Sequence, residues 1–239
     1  KADVKVHPST VPIEEKLAAA MDLDRAQRIG PKVVNTNSIY REEVRKNSLA
    51  NSFGDELEWE EVRTRLFVQT VASEGGTTEM FYSSMGRTEG FEAVRGRDIE
   101  AMGRETAEEA VKMLKAKKAF KEANTFYQQQ EYKKAAERFE LLLKNHPTSQ
   151  LVPTAQLYGG YSLFLLTEFD RAIELLKKAT ALPATEDIQE VAQSLLPQAL
   201  AAKNKQLQIP SNKDTPLPPN APKLSEIKLI NYDFSKYGS

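Results

Sequence analysis

The side chains that most often bind metals or act as nucleophiles are scarce in this 239-residue chain. It has no cysteine, which excludes disulfides, thiolate zinc sites and cysteine nucleophiles. Its two histidines, His7 and His146, are not spaced as a metal pair on one helix. The sequence therefore predicts no metal site and no cofactor, and it leaves the cellular compartment open.

Strong charge and long apolar stretches are also missing. The formal net charge is −1 at pH 7, so no bulk field attracts nucleic acid or an anionic membrane. No apolar run reaches the roughly 18–20 residues that a membrane-spanning helix needs. We expect neither a nucleic-acid partner nor a membrane span, and the sequence does not indicate an oligomeric state.

What the chain does have is a repeated pattern in its second half. A small residue, an aromatic residue, an alanine and a large apolar residue recur in the same order at a constant offset of 37 positions. The first set is Ala123, Tyr132, Ala135 and Phe139, and the second is Gly160, Phe169, Ala172 and Leu176. Such self-similarity predicts stacked helical hairpins. The predicted helices cover about 119–129, 132–145, 150–166, 169–181 and 186–205, and Pro197 should kink or end the last one.

This pattern resembles a tetratricopeptide-repeat (TPR) array. In that family a proline follows the second helix of each hairpin, as Pro147 and, shifted by one place, Pro183 do here. The offset exceeds the usual period of 34, and the long segment 146–153 is similar to bacterial envelope members of the family. The resemblance implies a groove that binds a protein or peptide ligand, although most groove aromatics should also serve the core. The candidate peptide-binding residues are Phe126, Tyr127, Tyr158, Tyr161 and Phe164.

The first half of the chain alternates with period two instead. Alternating apolar and polar side chains over 62–72 predict a long strand with one buried face. An out-of-phase alternation before it predicts a bulge or a bend at 60–61, and turn sequences lie at 51–54 and 74–76. The predicted antiparallel strands cover about 33–50, 56–73, 77–85 and 88–94. The fold class is therefore α+β: an N-terminal antiparallel sheet with flanking helices, followed by an all-α, TPR-like array of helical hairpins.

Three regions follow one another along the chain. Residues 1–118 form the α+β module, which closes with a helix capped by Asp98 and a lysine-rich junction. Residues 119–205 form the helical repeats. Residues 206–239 hold a proline-rich linker and an apolar end, 227–237, which is expected to dock on folded protein because it carries too much apolar surface for a solvated tail.

Four short stretches of the first half occur in a distinctive order and spacing. They are Asn51-Ser-Phe-Gly54, Val71 to Gly76, Gly86 to Glu92, and Ala107 to Ala116. Together they make residues 13–119 resemble the N-terminal region of the TldD/PmbA metallopeptidases. That family's zinc site is a His-Glu-x-x-x-His helix with further ligands downstream, and no such motif occurs here, so no catalytic residue is carried over. A junction between two families indicates either a natural fusion or an engineered chimera.

Two groups of charged residues invite a functional interpretation. Glu56, Glu58 and Glu60 share one face of the predicted strand, where a solvated or edge-protecting role is favoured over acid–base catalysis. The second group is a basic strip on the sheet: Arg41, Arg45, Lys46, Arg63 and Arg65. For this strip a solvated face is favoured over nucleic-acid binding, because the module has no net positive charge.

Two functions from different classes remain. The main prediction is a non-catalytic protein- or peptide-binding scaffold that uses the repeat groove, is not an enzyme, binds no zinc and cleaves no peptide. The alternative is a fragment of a TldD/PmbA-type metallopeptidase whose sheet holds a peptide by main-chain hydrogen bonds, or an engineered chimera with no native activity. Zinc analysis and a peptide digest separate these functions.

Overall fold

The computed structural model describes residues 4–181 and 185–208. A three-stranded antiparallel sheet near the N-terminus is followed by a run of helices, which confirms the predicted α+β class. A 3-10 helix, Pro8–Thr10, precedes these elements. The strands are β1 (Val33–Ala50), β2 (Glu56–Glu74) and β3 (Thr77–Arg87), and the helices are α1 (Ile13–Ala26), α2 (Glu92–Arg95), α3 (Ile99–Gln128), α4 (Tyr132–Asn145), α5 (Val152–Leu165), α6 (Phe169–Ala181) and α7 (Glu186–Gln208). Among the described residues, no helix has both the length and the apolar character that a membrane span requires.

The two turns of the sheet set its strand order. At the β1–β2 turn, Asn51 Oδ1 accepts hydrogen bonds from the backbone N–H groups of Phe53 and Asp55, at 2.9 and 3.0 Å. At the β2–β3 turn, Gly75 and Gly76 have φ angles of 58° and 72°, which glycine adopts without steric cost. Both turns fall where the sequence predicted them, and β2 lies between β1 and β3.

The register of β1 and β2 is continuous where a bulge was predicted. The pairing runs unbroken from Asn35 to Ala50, so the bulge predicted at 60–61 is wrong. β3 pairs only with residues 64–74 of β2. Beyond that point β1 and β2 continue as a two-stranded ribbon in which Val62, next to the three-stranded part, is the one buried residue, and apolar side chains such as Leu57 stay exposed. The apolar phase changes there because the ribbon has no core to face.

The core of the sheet lies on one face, against α1 and α3. The larger cluster joins β2, β3, α1 and the segment around α2; it comprises Val11, Ala19, Leu23, Leu66, Val68, Met85, Phe91 and Val94. A smaller cluster lies near the β2–β3 turn: Ala72, Ala110 and Leu114. A buried polar contact links the same layers, because Thr70 Oγ1 donates to Gln27 Oε1 at 2.7 Å and Gln27 Nε2 donates to Ser38 Oγ at 2.8 Å.

The strand predicted at 88–94 is wrong, because this segment forms a loop and the short helix α2. Phe91 and Val94 are three positions apart, and both are buried, at 1% and 4% exposure. That spacing suits one turn of helix. The apolar run is too short for its period to separate a helix from a strand in the sequence.

Glu92 ties the N-terminal segment to α2. Its carboxylate accepts hydrogen bonds from the backbone N–H groups of Lys5, Val6 and Gly90, at 3.1, 2.9 and 3.0 Å. Burial raises the pKa of Glu92, but these backbone hydrogen bonds outweigh it and hold the pKa below its usual value. A Cβ atom at Gly90 would stand 2.1 Å from the Val6 carbonyl oxygen, so this close approach requires glycine.

Helix α3 is shared by the two halves of the chain. It is 30 residues long and begins after Asp98, whose side chain accepts a hydrogen bond from Ala101 N–H at 2.8 Å, as the sequence predicted. It continues without a break through the junction predicted at the end of 1–118. Its first part packs on α1, β2 and β3, and its last part packs on α4. The division into domains at 118 and 119 therefore stays a prediction.

The lysines of the predicted junction bind the β2–β3 turn. Lys117 forms an ion pair with Glu79, and Lys118 Nζ donates to Glu74 Oε2 at 2.5 Å. These contacts hold the middle of α3 on the sheet, so the lysine-rich segment anchors the helix at this point.

The helical half repeats its backbone as well as its sequence. Gln130 and Thr167 lie in the turns after α3 and α5, 37 positions apart, and both have φ of 61°. Ala135 and Ala172, also 37 positions apart, are fully buried. A Cβ atom at Gly160 would lie 3.0 Å from Leu176 Cγ, which explains the small residue at that place. The hairpins α3–α4 and α5–α6 thus confirm the predicted helices 132–145 and 169–181.

The last described helix differs from the prediction at one point. α7 continues through Pro197 to Gln208, so the prediction that this proline ends the helix early is wrong. Leu195 and Ala199 are buried on either side of it, and their packing holds the helix where one backbone hydrogen bond is lost. The docking predicted for 227–237 lies outside the described residues.

Candidate functional site

The face of the sheet opposite α1 and α3 is open. Side chains alternate along each strand, so odd-numbered residues of β1 from Asn35 onward, odd-numbered residues of β2 and even-numbered residues of β3 share this face. None of these side chains is buried, whereas the alternate residues of β2 from Val62 to Ala72 are all buried on the helix side. The sheet therefore offers a broad surface that its own described helices do not use.

A cavity of about 790 Å³ lies on this open face where β3 ends. Arg41 of β1 and Arg65 of β2 lie directly opposite each other across the strand pair. Like charges in opposite positions destabilise a sheet. This pair therefore lowers the stability of the fold, and its presence has to be explained by a role other than stability. The lining comprises Ile39, Arg41, Arg63, Arg65, Leu66, Phe67, Ser84, Met85, Gly86, Arg87 and Thr88.

The carboxylates nearest these arginines on the open face are already paired. Arg63 Nη2 lies 3.2 Å from Glu61 Oε1, and Arg45 Nε lies 2.6 Å from Glu43 Oε1. Over residues 4–181 and 185–208, the guanidinium groups of three arginines of the cavity have no hydrogen-bond or ion-pair partner: Arg41, Arg65 and Arg87. The cavity thus presents uncompensated positive charge.

Apolar surface adjoins the arginines. The rings of Phe67 and Tyr82 stack at a centroid distance of 5.9 Å and an interplanar angle of 26°. Tyr82 is 50% exposed and Ile39 is 45% exposed. Gly86 lies opposite Arg65 and has no side chain to fill the floor of the cavity. Glycine inside a strand weakens it and often marks the close approach of a ligand.

The basic strip predicted from the sequence is real but incomplete. Arg41, Arg45, Arg63 and Arg65 share the open face, whereas Lys46 points to the other side of the ribbon. The strip predicted from the sequence did not include the contributions of β3 to this face, chiefly Tyr82 and Gly86, or Arg87, which lines the cavity at the end of β3. Extending the alternation through β3 from the 74–76 turn is the signal that finds Tyr82 and Gly86.

The predicted peptide-binding aromatics lie elsewhere, in the helical half. Four of them are at most 8% exposed and pack together in its core: Tyr127, Tyr158, Tyr161 and Phe164. Phe126 is partly buried, with the Lys134 ammonium 5.4 Å from its ring centroid. Burial raises the pKa of Tyr158 to about 12, as expected of a core phenol. A peptide-binding role for these five residues stays an untested prediction, and the core role accounts for their burial.

The two histidines take local structural positions. His7 Nδ1 accepts a hydrogen bond from the backbone N–H of Ser9 at 3.2 Å, and His7 Nε2 lies 3.2 Å from Glu60. His146 follows α4 as its C-cap. Burial and then the charge of Lys115 lower the pKa of His146, which favours neutral imidazole. A positively charged His146, which would complement the helix dipole, is therefore disfavoured.

Comparisons with known proteins assign two different resemblances to the chain. Residues 6–114 match the family model described as the PmbA/TldA metallopeptidase central domain. A protein named metalloprotease from Methanothermobacter thermautotrophicus is 38% identical over 109 residues, which cover 46% of this chain and 24% of that protein. The outer membrane protein assembly factor BamD of Rickettsia prowazekii is 41% identical over 58 residues, which cover 24% of this chain and 23% of BamD. The chain thus spans about a quarter of the length of each of these curated relatives.

These matches correct the functional prediction made from the sequence. The TldD/PmbA-like interpretation of the first half is supported, and the TPR-like interpretation is supported only weakly, through the partial match to BamD. The prediction that the protein is not an enzyme is wrong, because the family model and the metalloprotease relative point to a peptidase family. The matched family model is that of the central domain, whereas the sequence predicted a resemblance to the N-terminal region.

The metal that a metallopeptidase family implies does not fit the donor set at hand. Residues 4–181 and 185–208 contain no group of three or more His, Cys, Asp or Glu side chains that could hold a metal ion. The full sequence has two histidines and no cysteine. We therefore derive no step through a metal from these residues.

Proposed function

We propose that residues 6–114 act as the central domain of a TldD/PmbA-type metallopeptidase and that their sheet holds an extended peptide segment. The observation that carries this proposal is the coincidence of the family match with a structural unit. The match ends at Leu114, the last residue of the small core cluster that joins α3 to the sheet. The matched segment therefore contains the whole sheet, α1, α2 and the part of α3 that packs on them.

The sheet has the features that peptide binding by strand addition requires. In the described residues β1 and β3 each have a strand neighbour on one side only. Their outer edges thus offer backbone N–H and C=O groups to an added strand, which bind main chain regardless of its sequence. The open face beside these edges offers room for alternate side chains of the added segment.

Hydrolysis in this proposal depends on residues outside the matched unit. The described side chains do not fit a catalytic metal, so its ligands would come from another part of the protein or from a second chain. The role assigned to residues 6–114 is to position the substrate for a peptidase reaction.

A binding measurement on the full chain tests this role. Fluorescein-labelled unstructured peptides, such as fragments of casein, should raise their anisotropy when the chain is added. Phe67→Ala with Tyr82→Ala should weaken this binding several-fold, because both rings belong to the open face. Phe53→Ala is the matched control, since Phe53 is 90% exposed at the β1–β2 turn, away from the cavity lining. Peptides that bind equally to all three proteins, or to none, would refute the proposal.

The match to BamD favours a second candidate function, carried by the helical half. We infer that residues 119–205 form a TPR-like protein-binding array, supported by that match and by the repeated turns at Gln130 and Thr167. Peptides selected from a random library against the full chain would assign the site. Binding lost in Phe126→Ala but kept in Tyr82→Ala would favour the helical half, and the reverse pattern would favour the sheet.

A further inference from the structure

We propose that the cavity lined by Arg41 and Arg65, here called the arginine cavity, selects extended peptides that carry an acidic side chain two positions from an apolar one. This inference deepens the proposed function, since it names the substrate class of the same sheet surface. It rests on three features of the open face: an uncompensated arginine pair, the spacing of that pair from an aromatic stack, and the charge of the surrounding residues.

The arginine pair is built for a carboxylate. Arg41 and Arg65 face each other on neighbouring strands, and neither has an ion-pair partner in the described part of the chain. Opposite side chains of this kind have Cβ atoms about 4.5–5.5 Å apart. Two guanidinium groups at that spacing can share one carboxylate, and arginine forms bidentate hydrogen bonds with carboxylates. An acidic ligand removes the repulsion that the free pair retains.

The stacked rings of Phe67 and Tyr82 account for the apolar side chain in the proposed peptide preference. Phe67 lies two positions after Arg65 on the same face of β2, which places it about 6.8 Å further along the strand. An extended peptide has the same repeat between side chains on one face. A peptide whose acidic side chain meets Arg65 therefore brings the side chain two positions away to Phe67 and Tyr82. Exposed apolar area there favours an apolar side chain.

The surrounding charge favours a short acidic peptide over a polyanion. Glu43 and Glu61 lie on the same face within the basic strip, and they pair with Arg45 and Arg63. A nucleic-acid backbone crossing this face would meet both carboxylates. The whole chain also has a net charge of −1, which gives no long-range attraction for nucleic acid.

The test compares three labelled ten-residue peptides on the full chain. In the first peptide, glutamate and leucine take turns at every second position and serine fills the positions between them. The second peptide has glutamine in place of glutamate, and the third has lysine there. Fluorescence anisotropy at low and high salt measures their dissociation constants. We expect the acidic peptide to bind at least tenfold more tightly than the glutamine peptide at low salt, and this advantage should shrink as salt rises.

Paired charge variants locate the effect. Arg41→Gln with Arg65→Gln should reduce the affinity for the acidic peptide to that for the glutamine peptide. The matched control is Arg97→Gln with Arg104→Gln, which removes the same charge from two exposed arginines outside the cavity and should leave the preference intact. Arg41→Glu with Arg65→Glu should reverse the preference toward the lysine peptide. Circular dichroism of each variant checks that the fold is retained.

The outcomes separate this inference from the function on which it rests. Equal binding of all three peptides would overturn the acidic preference and leave peptide binding by the sheet in place. Failure of every peptide to bind would overturn both. If the preference for the acidic peptide survives in the variant with Arg41→Gln and Arg65→Gln, the acidic side chain binds elsewhere, and the assignment of this preference to the cavity is wrong. Tighter binding of a single-stranded oligonucleotide than of the acidic peptide, lost in the same variant, would replace the peptide with nucleic acid.

Discussion

The two regions that share α3 differ in how completely they use their surfaces. Among the described residues, the helical region has one core cluster of 21 buried residues, while the sheet region divides its core into clusters of 8 and 3. Helices α5 and α6 bury most of their apolar side chains between neighbours, whereas the sheet buries one face and leaves the other open. The comparison shows where stability is concentrated and where surface is kept for binding.

The same contrast appears in the charged residues. In the helical region exposed arginines pair with carboxylates, as Arg171 does with Glu140 at 2.6 Å. On the open face of the sheet, Arg41 and Arg65 face each other, and their side chains have no ion-pair partner within the part of the chain that the structure describes. Exposed ion pairs contribute little stability, but an unpaired, opposed arginine couple is unfavourable for folding alone. That difference is why we place the candidate site on the sheet.

The largest expected effect tests the dense packing of the helical region. Ala135→Arg and Ala172→Arg should each destabilise it by at least about 3 kcal/mol, because a long charged side chain must be buried or must separate the helices. Both alanines are fully buried at equivalent places of the two hairpins. Urea denaturation followed by far-UV circular dichroism measures the loss. A variant with an unchanged midpoint would contradict the repeat register.

A smaller effect is expected at the anchor of the sheet region. Gly90→Ala should cost about 1–3 kcal/mol, since the new methyl group would overlap the Val6 carbonyl oxygen. Gly30→Ala is the matched control, because no atom lies within 4 Å of its added Cβ. Thermal melting of both proteins compares them. Equal melting temperatures would show that the N-terminal segment does not hold α2 as tightly as the geometry indicates.

Much of the fold could be predicted from the sequence because two periods dominate it. The offset of 37 positions gave the hairpins, and the alternation over 62–72 gave the buried face of β2. The errors occurred where a local pattern was short or had no core to face. The strand predicted at 88–94 is α2 because four residues cannot show a period, and the bulge predicted at 60–61 arose from exposed apolar residues in the ribbon.

The candidate site was harder to predict because it depends on register. The sequence predicted a basic strip that contains these arginines, but it was not used to predict that Arg41 and Arg65 lie opposite each other on neighbouring strands. A turn centred on Phe53 requires Arg41 to face Arg65, so the pairing was available once the turn was placed. The sequence alone could not predict that these arginine side chains lack partners in the described part of the chain, because that depends on which side chains Glu43 and Glu61 pair with.

The smallest expected effect is a loss of stability at acid pH, and this loss should begin at a different pH in each of the two regions. Asp24, Glu42 and Glu92 all lie in the sheet region; burial raises their pKa values, but hydrogen bonds outweigh it and leave each pKa lowered. Glu42, for example, accepts hydrogen bonds from Lys16 at 2.8 Å and Tyr40 at 2.6 Å. A carboxylate whose pKa is lower when folded stabilises the protein above its unfolded pKa, near 4, and this stabilisation disappears as pH falls through the folded pKa.

The helical region has a different pH window. The pKa of His146 is lowered from 6.5 by burial, so its stabilising effect is present above that value and declines as pH falls below it. We therefore expect amide resonances of the helical region to report a small loss of stability that begins as pH falls below about 6.5, and those of the sheet region to report a loss that begins only below about pH 4.5. Glu92→Gln should flatten the acid loss of the sheet region, because it removes the titrating group and keeps its shape. Two regions that lose stability together at one pH, with a slope unchanged by Glu92→Gln, would mean that α3 couples them into a single cooperative unit and that the contrast between them does not extend to their unfolding.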